Sequence, residues 1–409
     1  MKYKRYLEKW VNDFCFSNGK MAFISGPRQC GKTTFAKQLL TTRKAIGAYY
    51  NWDEVAFRKM WTKDPAQVLP IFEAKQKPLV IFDELHKAKL WKRNLKGLYD
   101  TQHEYYDFLV TGSARLNVYR KGSDSLMGRY YNFRLHPFSV SEMYDVSISN
   151  SPEQLLTTAL QKSQPVARLE KILKQLYEFG PFPEPLFSGD KRILKLWQRN
   201  RIEKIVREDL RDISRLPELS QIEMLASLLP ERVSQPLSLR SLGEDLEVSY
   251  TTVKRWMHYL NELYYVFEIK PFSKSITRSI KKEKKLYLWD WSEVENAGAR
   301  FENLVASHLL KYCHYLTDTG EGRYELLYLK DKEKNEIDFL ITKDNKPFLP
   351  VEAKLSDETP SKNWWNWLRM LNCTVGVQLV MKEKIHHTHE NDGYTVLVTS
   401  AAQWLRYLV

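Results

Sequence analysis

Gly26-Pro27-Arg28-Gln29-Cys30-Gly31-Lys32-Thr33 decides how the N-terminal part of this chain folds. It has the spacing Gly-x-x-x-x-Gly-Lys-Thr of a phosphate-binding loop. Met21-Ala22-Phe23-Ile24-Ser25 before it reads as a buried strand, and Thr34-Phe35-Ala36-Lys37-Gln38-Leu39-Leu40 after it opens a helix. That order matters, because glycines let backbone N–H groups curl around a phosphate and a helix N-terminus adds a favourable dipole. The loop from Gly26 to Thr33, with Thr34, is therefore the candidate nucleotide site. Lys32 is placed to reach β- and γ-phosphates, and the Thr33 hydroxyl to ligate Mg²⁺.

Pro78-Leu79-Val80-Ile81-Phe82-Asp83-Glu84 is an apolar run ending in two acids. A central parallel strand reads this way because both its faces are covered, and ligands bind beyond the carboxyl ends of such strands. Asp83 is the candidate metal carboxylate and Glu84 the group that polarises the attacking water. A third strand, Tyr106-Asp107-Phe108-Leu109-Val110, ends at Thr111-Gly112-Ser113-Ala114, where Ser113 is a candidate γ-phosphate sensor. Arg129, in Ser125-Leu126-Met127-Gly128-Arg129, is a candidate arginine finger. The alternative for Arg129 is a surface salt bridge.

These stretches, with Lys96-Gly97-Leu98-Tyr99-Asp100 and Leu135-His136-Pro137-Phe138-Ser139, resemble the prokaryotic AAA-type ATPases that carry a C-terminal domain of unknown function. The resemblance runs over nearly the whole chain. It implies ATP as the nucleotide, with Mg²⁺, and a homo-oligomer as one arrangement in which Arg129 acts across a subunit interface. The family's usual Gln after the second motif is His86 here.

The chain has 409 residues, a net charge of +13 and four cysteines. Such a length suggests two to four domains with ample core. Cys15, Cys30, Cys313 and Cys373 are widely separated, which argues against a disulfide or zinc framework and fits a reducing cytoplasm. Cys30 lies inside the phosphate loop, where alkylation is expected to block nucleotide binding. No run of 18 apolar residues suggests a membrane span. The basic balance favours nucleic acid or an acidic surface as a partner.

The expected organisation is α/β: a P-loop NTPase core with a parallel sheet over 1–147, a helical lid over 148–225, a winged helix over 226–275, and a restriction-endonuclease-like α/β domain over 276–409. The winged helix rests on two helical stretches, Ser238 to Leu246 and Tyr250 to Leu260, followed by a strand at Tyr264 to Lys270. The second helix of such a pair enters the major groove N-terminus first, so Thr251, Thr252, Lys254 and Arg255 are candidate DNA contacts. Lys281 and Lys282, in a basic stretch from Lys270 to Lys285, are candidate phosphate contacts.

Further on, Glu302 lies on a helical stretch, Asp338 on a strand, and Glu352-Ala353-Lys354 on the next. Side chains alternate along strands, so Glu352 and Lys354 share a face. The pattern resembles PD-(D/E)XK nucleases of the Holliday-junction-resolvase branch. The resemblance implies Mg²⁺ on Asp338 and Glu352 with Glu302, and Lys354 on the water or phosphate. The alternative is a structural domain in which Glu352 and Lys354 form an ion pair. Trp364-Trp365-Asn366-Trp367 reads as the core face of a helix, with base stacking as the other option. His386-His387-Thr388-His389 reads as a polar loop. The whole reads as an ATPase that binds DNA through its C-terminal half. The alternatives are a nucleotide-controlled protein-docking switch and an ATP-regulated metal-dependent nuclease.

Overall fold

The structure, a computed structural model, describes residues 3–44, 46–71, 76–112, 126–144, 152–161, 165–210, 218–273, 283–333 and 335–409. It divides into two compact units, Met1–Pro137 and Phe138–Val409. The candidate residues Ser113, Lys281 and Lys282 lie outside the described residues.

Unit 1 holds a five-stranded sheet in the order β2-β3-β4-β1-β5. Its strands are β1 (Met21–Ser25), β2 (Gly47–Asn51), β3 (Leu79–Asp83), β4 (Asp107–Gly112) and β5 (Tyr130–Arg134). Every pairing is parallel. β1, β3 and β4 are buried at every position, so the middle of each reads as an apolar run. On one face Phe82 stacks on Phe108 and Phe57, with ring centroids 6.3 and 6.0 Å apart. These rings join Trp61, Trp91 and Leu95 in one core. Register places Asp83 beside Thr111, and Thr111 beside Ile24. The carboxyl ends of β3, β4 and β1 are thereby brought side by side.

Unit 2 begins with helices, including Ala167–Phe179, Lys191–Glu203 and Leu219–Leu228. The stretch expected as a loop at 179–185 turns at Gly180 and then enters a short helix, Pro183–Ser188. Proline in the first helical turn gives up only an N–H that has no partner there. Two helices follow, Leu239–Asp245 and Tyr250–Glu262, each with a serine cap. Ser238 Oγ accepts from Ser241 N at 3.3 Å and Ser249 Oγ from Thr252 N at 3.2 Å.

An eight-stranded mixed sheet completes the unit, in the order β12-β13-β11-β10-β9-β8-β6-β7. β6 (Val266–Pro271) and β7 (Lys285–Leu288) pair antiparallel, and β6 runs parallel to β8 (Tyr324–Lys330). β8, β9 (Glu336–Lys343) and β10 (Lys346–Lys354) form an antiparallel meander. β10 then runs parallel to β11 (Val375–Val380) after the helix Asn363–Leu371. Trp364 and Trp367 of that helix are buried with Leu368 in the core, so they are packing groups. β12 (His386–Asn391) is an edge strand on β13 (Tyr394–Ser400). The histidine run expected as a loop is therefore a strand, closed by Asp392 and Gly393, both at positive φ. Such two-residue Asp-Gly turns fit the twist of a hairpin. Its exposed residues lack the apolar alternation that would have announced it. Among the described residues no helix is long and apolar enough to cross a membrane.

Candidate functional site

The phosphate loop leaves β1 and enters the helix Lys32–Thr42. Its two glycines stand where side chains do not fit. A Cβ on Gly26 would come within 2.3 Å of Leu135 O. Gly31 caps the helix at φ 99°, a region that L side chains avoid. Arg5 braces the loop from outside: it is buried, donates to Cys30 O at 2.9 Å and also donates to His136 O. Cys30 has no exposed surface and its thiol donates to Leu135 O at 3.3 Å. Burial of the sulfur limits how readily a reagent reaches it.

Lys32 is buried, and its Nζ donates to Gly26 O at 3.0 Å and Pro27 O at 2.6 Å. Thr33 and Thr34 are exposed in the first helical turn. Asp83 collects three hydroxyl donors. Thr33 Oγ1 stands 2.7 Å and Tyr49 OH 2.6 Å from Oδ2, and Thr111 Oγ1 donates to Oδ1. Burial, and then the hydrogen bond to Asp83, push the Tyr49 phenol above its ordinary pKa. Sequence reasoning missed Tyr49 and Arg5. Tyr49 lies in an edge strand with no motif around it, and Arg5 lies in an N-terminal stretch read only for its charge.

Glu84 follows Asp83 with φ 59°, and its N–H donates to Thr111 O at 3.0 Å. Burial raises the pKa of its carboxyl, while Lys32 and Lys87 pull it down. His86 Nε2 lies 3.6 Å and Lys87 Nζ 3.7 Å from Glu84 Oε2. The donor set suits a nucleotide with Mg²⁺: a backbone cradle that excludes Cβ atoms, one ammonium, and a hydroxyl touching a carboxylate, both hard oxygen ligands.

Arg129 is not brought to this site. Met21 N donates to Arg129 O and Met21 pairs with Tyr130, at the opposite end of β1 from the loop. A five-residue strand spans roughly 16 Å. The guanidinium is paired with Asp100, Nε to Oδ1 at 2.5 Å and Nη2 to Oδ2 at 3.0 Å. The finger reading within one chain is corrected to the salt-bridge alternative.

In unit 2 the structure does bring the nuclease-like set together, but around a lysine. Lys285 Nζ lies 2.5 Å from Glu336 Oε1, 3.2 Å from Glu302 Oε1 and 3.7 Å from Asp338 Oδ1. Tyr287 OH donates to Glu302 at 2.8 Å, and Ala353 N to Asp338 Oδ2 at 2.9 Å. Glu352 and Lys354 form the ion pair, at 2.7 Å. Burial and Asp338 push the Glu302 carboxyl up to about 7, against the pull of Lys285. Burial alone would lower the Lys285 ammonium, yet Glu302, Asp338 and Glu336 leave it raised. Among the described residues no group of three His, Cys, Asp or Glu side chains is arranged to hold a metal ion. The expectation of Mg²⁺ on Glu302, Asp338 and Glu352 is corrected: the Lys285 ammonium lies against Glu302 and Asp338, and Glu352 is paired with Lys354 instead. Lys285 closes the basic stretch that begins at Lys270, but it is 1% exposed.

On the helix Tyr250–Glu262, the Thr251 and Thr252 hydroxyls lie 2.8 and 2.9 Å from Ser249 Oγ. Arg255 pairs with Glu218 at 3.5 Å, and Lys254 is exposed.

A family model described as an AAA domain matches residues 18–144. Two domains of unknown function, DUF8612 and DUF4143, match 170–296 and 297–401. An uncharacterized protein of Methanocaldococcus jannaschii, MJ1637, is 22% identical over 392 residues, covering 87% of this chain and 79% of that protein. Among solved structures, Aeropyrum pernix ORC1 in complex with DNA is 14% identical, covering 75% of this chain and 94% of that one, with a TM-score of 0.34. The Thermotoga maritima RuvB Holliday junction branch migration motor is 15% identical, covering 65% and 89%, with a TM-score of 0.28. AMPPCP-bound DnaA from Aquifex aeolicus is 13% identical, covering 63% and 86%, with a TM-score of 0.32. The matched AAA domain and the parallel sheet around the loop define unit 1 as an AAA-type P-loop ATPase fold.

Proposed function

We propose that unit 1 binds ATP with Mg²⁺ and hydrolyses it, and that unit 2 brings the chain to DNA through the helix pair 239–262. The observation that carries the first part is the 2.7 Å contact of Thr33 Oγ1 with Asp83 at the mouth of the phosphate loop. When bound, Mg²⁺ offsets the charge of the phosphates. Thr33 and Asp83 would hold it, and Lys32 has the donors to leave Gly26 O and Pro27 O for a phosphate oxygen. Glu84 orients water and accepts its proton, and its raised pKa favours that role. The Tyr49 and Thr111 hydroxyls fix the Asp83 carboxylate. Arg129 takes part only if a second copy supplies it, which requires release from Asp100.

The DNA part rests on the net charge of +13 and on the capped helix pair. A second reading, docking of a protein partner, is favoured by the commitments of Thr251, Thr252 and Arg255 within the chain. ATP hydrolysis by the wild type and Lys32→Ala, with and without DNA, tests both. DNA stimulation that Lys32→Ala abolishes supports the first reading. Hydrolysis indifferent to DNA, with binding flat in salt, supports the second, because phosphate contacts give a steep salt dependence.

A further inference from the structure

Four acids of unit 2, Glu302, Glu336, Asp338 and Glu352, come from three elements: the helix Ala297–Asp318, β9 and β10. Glu336 and Asp338 share β9, and a cluster of partly buried carboxylates is costly without a cation. β7 supplies one. Lys285 and Tyr287, two apart, share a face of that strand and both reach Glu302 Oε1. The ammonium lies within 3.7 Å of three different carboxylates and 5.6 Å from the centre of the Tyr328 ring. Lys330 adds a second cation to Glu336, at 3.3 Å, and Lys354 neutralises Glu352. The other oxygen of Asp338 is held by the Ala353 N–H.

The geometry points to Lys285 as a resident counter-ion standing where a divalent metal would bind, so that this cluster takes no metal and hydrolyses no phosphodiester. Mg²⁺ requires oxygens at about 2.0–2.1 Å in near-octahedral array. Here the shared space belongs to an ammonium that has only donors to offer, and a dication beside it would meet like charge. The lysine is 1% exposed, so displacing it would uncover the acids it neutralises. The inference is independent of the nucleotide reading, since no residue of unit 1 enters it.

The test counts Mn²⁺ bound to the full-length, nucleotide-free chain by electron paramagnetic resonance. Wild type and Asp338→Asn are expected to bind the same number of ions. Lys285→Met, which leaves the acids in place, is expected to bind one more, and Lys285→Met/Asp338→Asn to lose it again. Wild-type binding that falls by one in Asp338→Asn overturns the inference, as does a folded Lys285→Met that gains no ion. Should Lys285→Met fail to fold, the comparison of wild type with Asp338→Asn decides alone. A fault in the nucleotide reading would show elsewhere, as hydrolysis that survives Lys32→Ala.

Discussion

Asp83 in unit 1, at the end of a buried strand, and the acids around Lys285 in unit 2, on a helix and on β9, are held in opposite ways. Asp83 is held by three hydroxyls, from Thr33, Tyr49 and Thr111. A hydroxyl rotates and carries lone pairs as well as a proton, so Thr33 can turn from donor to ligand when a cation arrives. The unit 2 acids are held by an ammonium, which has no lone pair to offer. The first arrangement is ready for a metal and the second is already satisfied. Presence of the right acids therefore does not define a metal site; the nature of their existing partners does.

The contrast breaks most visibly in stability. Lys285→Met leaves buried acids without their cation and is expected to cost about 3–5 kcal/mol in urea unfolding. A variant as stable as the wild type would mean that the acids are screened by water. In unit 1 the corresponding effect is on rate. Lys32→Ala and Asp83→Asn should each lower steady-state ATP hydrolysis by roughly 10²–10³-fold, the scale for one positioned charge-stabilising group. Hydrolysis within a few-fold of wild type would place the chemistry elsewhere.

The pH dependence sharpens the difference. The Glu302 carboxyl is pushed up to about 7, so the folded chain holds this proton more tightly than the unfolded chain does. Its contribution to stability is thus full below the ordinary carboxyl range of about 4.3 and is lost as pH rises through 7. Melting temperatures across pH 4 to 8 should fall less steeply in Glu302→Gln than in wild type. Identical slopes would remove Glu302 from the buried cluster. The smallest effect is expected from Tyr49→Phe, about 0.5–1.5 kcal/mol for one lost hydrogen bond, with a raised Mg²⁺ requirement for hydrolysis.

Unit 1 was legible because its signals are local. The loop spacing, the apolar run of β3 and the acids that close it each lie within eight residues, and sterics dictate the glycines. What was hidden came from distance: Arg5 reaches Cys30, and Tyr49 reaches Asp83 from a neighbouring strand. In unit 2 strand alternation makes legible that Glu352 and Lys354 share a face of β10, whereas Glu302 comes from a helix that strand alternation does not place. Their chemistry was not legible. Lys285 belongs to a run of lysines, and sequence does not say which member of such a run is folded inside. Arg129 misled for a related reason: a motif places a residue along the chain, but only strand register tells which end of the sheet it occupies.

Glu84 carries one more consequence. Its backbone sits at φ 59°, where a glycine would rest without strain and a residue with a side chain costs on the order of 1 kcal/mol or more. Replacing it with glycine should therefore make unit 1 harder to unfold while removing the carboxylate next to Asp83. The position records a compromise, with a less stable turn retained in exchange for a group that a more stable turn would lack.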